Sequence, residues 1–120
     1  MHPSPTIKDV VATLELLKNI VRPDGDNEGI PINSPDIYNK LSSKDKALVE
    51  QAVEITHEYT RKAGDKGDEP NTRSITELNR KGYQSTLQTD QYNPSRLVGF
   101  VEIGNWRLDV SDPRIEGHDE

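Results

Sequence analysis

The stretch RLVGFVEIGNWRLDV, residues 96–110, constrains the fold more than any other part of the chain. Its Gly104-Asn105 pair suits a two-residue hairpin turn with glycine at positive φ. A turn at that point sets the register of both arms. Ile103 then faces Trp106, Val101 faces Leu108 and Gly99 faces Val110 on one side of the ribbon. On the other side Glu102 meets Arg107 and Phe100 meets Asp109, and an opposite-charge pair directly across two strands is stabilising. One face is therefore apolar, and a lone hairpin is marginal in water. The ribbon demands a cover, either helices of the same chain or a second copy. Upstream, YQSTLQT (residues 83–89) reads as a third strand, joined to the hairpin by the turn-rich DQYNPS.

The helical signals lie mostly in the N-terminal half. Thr6 is placed to cap a first helix, with Asp9 as its acidic capping-box partner. Ile7, Val10, Val11, Leu14, Leu17 and Val21 recur on one face, and Pro23 stops the run. Ser34-Pro35 starts a short second helix carrying Ile37, Tyr38 and Leu41. Ser42, with Asp45 three residues later, opens a third helix from Ser43 to Ala63 that ends at Gly64. Its main stripe is Leu48, Ala52, Ile55 and Tyr59, with Val49 and Val53 beside it. GDKGDEPNTR, residues 64–73, has no apolar side chain and reads as an exposed loop. Ser74 and Glu77 then form a capping box for a fourth helix ending near Gly82.

These elements predict an α+β fold, with three to four helices packed on a small C-terminal antiparallel sheet made of hairpin 96–110 and strand 83–89. Residues 1–112 form one domain: a helical part at 6–63, the loop at 64–73 and a β part at 74–112. Residues 113–120 are a polar tail.

Composition narrows the function. Of the 120 residues only 31% are apolar, so the core is small and self-association would enlarge it. The absence of cysteine excludes disulfides, thiolate catalysis and cysteine-based zinc sites, and fits a reducing compartment. No apolar run reaches the length of a membrane span, and no basic stretch leads into an apolar one at the N-terminus. A cytoplasmic protein without membrane contact is expected. The net charge is −6, with acids and bases mixed along the chain. Without a basic stripe to neutralise phosphates, nucleic-acid binding is not expected.

Three candidate sites emerge. DGDNEGIPINSPD, residues 24–36, sets Asp24, Asp26 and Glu28 at the first three oxygen positions of a helix–loop–helix calcium loop, with Gly29 next. The motif is incomplete, because Pro35 stands where the two-oxygen glutamate belongs and cannot coordinate. On the third helix Glu54 and His57 have the E-x-x-H spacing of carboxylate-bridged metal sites, which need two such pairs; a dimer would supply the second. The plain alternative is an exposed helix surface. No serine lies in a strand–turn–helix elbow and no glycine-rich phosphate loop is present. The third candidate is the sheet face opposite Trp106, where Val98, Phe100, Arg107 and, near it, Tyr92 have the aromatic-plus-arginine make-up of protein contacts. The outer strand edge could accept a further strand.

The first reading is a small, acidic, non-catalytic protein-interaction module of inhibitor, immunity or accessory type. It would act by binding a protein partner or itself, as a homodimer or other homo-oligomer, with no cofactor. The alternatives are a calcium-binding helix–loop–helix protein using Asp24, Asp26 and Glu28, and a dimeric metalloenzyme organised around Glu54 and His57.

Overall fold

The computed structural model describes residues 5–22, 29–62 and 69–111. The fold is α+β, as the sequence predicts. Its described elements are four helices, a two-stranded antiparallel ribbon and a three-stranded antiparallel sheet near the C-terminal end.

Helix α1 (Ile7–Leu17) starts on the expected capping box: Asp9 N donates to Thr6 Oγ1 at 3.3 Å and Thr6 N to Asp9 Oδ2 at 3.0 Å. Val10, Leu14 and Leu17 are fully buried. The helix stops at Leu17, short of the predicted Val21. Val21 leaves the apolar face and is 84% exposed, because helical spacing holds only while the helix lasts.

Helix α2 (Pro35–Tyr38) has proline in its first turn, where a missing N–H is harmless. Helix α3 (Ser43–Thr60) is capped by Ser42, whose Oγ accepts from Asp45 N at 3.1 Å. It ends three residues before Ala63, since Arg61 is already extended and opens strand β1 (Arg61–Lys62). Strand β1 pairs with β2 (Glu69–Pro70), Arg61 opposite Pro70 and Lys62 opposite Glu69. The Thr60 carbonyl is then taken by Asn71 N at 2.7 Å. The segment predicted as plain loop thus contributes a strand that terminates α3. Its buried face is also turned from the expected stripe. Val49, Ala52, Val53, Thr56 and Thr60 are sealed, while Leu48, Ile55 and Tyr59 pack half-buried at the margin.

Helix α4 (Thr72–Arg80) begins earlier than predicted. Asn71 is its cap, accepting from Ser74 N at 3.3 Å, and Ser74 lies buried in the first turn. Glu77 pairs instead with Arg80 at 2.8 Å.

The sheet follows in the order β3 (Ser85–Thr89), β4 (Leu97–Ile103), β5 (Trp106–Asp109). The hairpin register is the predicted one: Ile103 opposite Trp106, Val101 opposite Leu108, Glu102 opposite Arg107 and Phe100 opposite Asp109. Gly104 has φ of +60° and Asn105 has no positive φ, the pattern of a turn with glycine first. Gly99 has φ of +141°, and a Cβ there would lie 2.0 Å from the Thr86 carbonyl oxygen.

The apolar face of the sheet finds its cover within the chain. Val101, Ile103, Trp106, Leu108 and Val110 join Leu14 and Leu17 of α1, Val49 and Val53 of α3 and Leu78 of α4 in one buried cluster. The tip of the hairpin is fastened to the end of α1. Trp106 Nε1 donates to the Ile20 carbonyl at 3.1 Å, and Arg22 lies 4.0 Å over the indole ring.

Candidate functional site: the outer face of the C-terminal sheet

Strand alternation sends every second residue of the sheet away from the core. Pairing of Thr86 with Phe100 and Gln88 with Val98 puts these four on the outer face, together with Glu102, Arg107 and Asp109. Thr86, Gln88 and Glu102 are exposed, while Val98, Phe100, Arg107 and Asp109 are half-buried. No layer of described residues seals this face.

The structure brings three of the four expected contact residues onto one surface. Arg107 lies 5.4 Å over the Phe100 ring, 3.9 Å from Glu102, and donates to the Gly29 carbonyl at 3.4 Å. Val98 is two residues from Phe100 on the same face. Tyr92 is 87% exposed and sits apart, in the turn joining β3 to β4, where its N–H donates to Asp90 Oδ1 at 2.8 Å. Between Thr86, Gln88, Val98 and Phe100 the surface forms a hollow of about 450 Å³. Its floor is backbone, because neighbouring Leu87 points inward and Gly99 has no side chain.

The two edges of the sheet differ. Along β5 the chain itself supplies a partner. Ile32 N donates to the Arg107 carbonyl at 2.7 Å, and Pro31 forms a parallel bridge with Arg107. The Asn33 side chain then imitates a strand, donating to the Asp109 carbonyl at 2.8 Å and accepting from Asp109 N at 3.0 Å. Along β3, Ser85 N is taken by Asn79 Oδ1 at 2.9 Å, and β2 lies beside the strand without joining its ladder.

The remaining candidates fare differently. Asp24, Asp26 and Glu28 lie outside the described residues. Glu54 and His57 do not share a surface: Glu54 is exposed and His57 is 6% exposed, turned toward the buried side of α3 with Thr56 and Thr60. Among the described residues no three His, Asp or Glu side chains converge as metal ligands would.

The perturbed titrating groups lie on the helices and their junction with the sheet. Tyr83 donates to Glu15, and burial followed by that bond raises its hydroxyl pKa. Glu15 is lowered by Lys18, 2.8 Å away, and then by Tyr83. Tyr38 donates to Glu50, which with burial pushes it up to about 12. These pairs tie the chain to itself.

Sequence reasoning missed Arg96. The Asp90 N to Arg96 carbonyl bond at 2.9 Å extends the β3–β4 ladder, so positions 96, 98 and 100 form one row on the outer face. The alternation of RLVGF carried that signal. No protein-family model, curated protein or solved structure matches the chain. Among the described residues no helix is long and apolar enough to cross a membrane.

Proposed function

We propose that this chain is a small, non-catalytic protein-interaction module that acts by occupying a partner's surface, with the outer face of the C-terminal sheet as its contact surface. The observation that carries this reading is a two-layer fold with one sheet face sealed by helices and the other open around Phe100, Val98 and Arg107. A half-buried aromatic ring with an arginine over it is the kind of residue pair on which protein contacts concentrate their energy. The acidic, cysteine-free composition is compatible with a cytoplasmic site of action. The partner is another protein or a second copy of the chain.

The test has two arms. Light scattering across a concentration series reports self-association above 13.5 kDa. Affinity capture compares the wild type with Phe100→Asp and with Glu54→Gln, an exposed change on α3. The reading expects a partner or a dimer that Phe100→Asp releases and Glu54→Gln keeps. A monomer that captures nothing, or a partner that both variants retain, overturns it.

A further inference from the structure

We draw no further inference here: the strongest candidate, the edge of the C-terminal sheet along the uncharged strand β3, where Leu87 and Thr89 turn their backbone groups away from β4, carries nothing because nothing in the structure shows what covers it.

Discussion

Replacing Asn33 by alanine removes two hydrogen bonds at once, the 2.8 Å bond to the Asp109 carbonyl and the 3.0 Å bond from Asp109 N. Each is worth about 1 kcal/mol net, and the strand edge they serve is half-buried, so the expected loss is about 2 kcal/mol. Ile32 N still holds the Arg107 carbonyl, so the segment stays in place and the loss is not larger. Asn33→Asp keeps the shape and the acceptor but puts an oxygen where Nδ2 donated. It should lose at least as much at neutral pH and recover part of it below pH ~4, where a protonated carboxyl donates again. The assay is urea unfolding followed by the fluorescence of the single tryptophan, with amide exchange as a local readout. With a slope of about 1–3 kcal/mol per molar urea, the midpoint should fall by about 1 M, and Asp109 should exchange faster than its neighbours on β4. A midpoint shift under about 0.2 M with unchanged Asp109 exchange refutes the reasoning, because it would mean that β5 does not depend on this side chain.

Four further outcomes are expected. Trp106→Ala should destabilise by about 3–5 kcal/mol, enough to threaten folding at 37 °C, whereas Trp106→Phe should lose about 1 kcal/mol with the bond to Ile20; near-equal melts for the two variants would contradict the packing described. Gly99→Ala should destabilise by about 2 kcal/mol or more, since its Cβ would meet the Thr86 oxygen at 2.0 Å at a φ of +141°, and a thermal melt reads this directly. Thr6→Ala should cost about 1 kcal/mol by removing the cap of α1, measured by urea unfolding. The Tyr38 and Tyr83 hydroxyls are harder to ionise in the folded protein than in the unfolded chain. Their stabilisation is therefore complete below the unfolded value near pH ~10 and is lost as pH rises through about 12 for Tyr38, so Tm should fall in that window and fall less in Tyr38→Phe and Tyr83→Phe.

Local chemistry was legible wherever the partner residues are close in the chain. The Thr6–Asp9 box, the Ser42 cap, the Gly104-Asn105 turn and all four hairpin pairs follow from spacing and turn geometry within a few residues. The same alternation placed Val98, Phe100 and Arg107 on one face. The α4 start was misplaced because Asn71 and Ser74 are both competent caps, and only the Asn71 N bond to the Thr60 carbonyl selects between them.

What the sequence by itself determined is the ribbon: its register, its two faces and the need for a cover follow from alternation and one turn. Tertiary structure alone decided what each face meets. The rotation of α3 that seals His57 and leaves Glu54 in water depends on where α1 and α4 press against it, which no helical period records. The pairing of Asn33 with Asp109 joins residues 76 apart, and the bond from the Trp106 indole to the Ile20 carbonyl joins residues 86 apart. Contacts of that reach are set by competition among many distant groups for the same space and the same hydrogen bonds, and a linear pattern carries only the near ones.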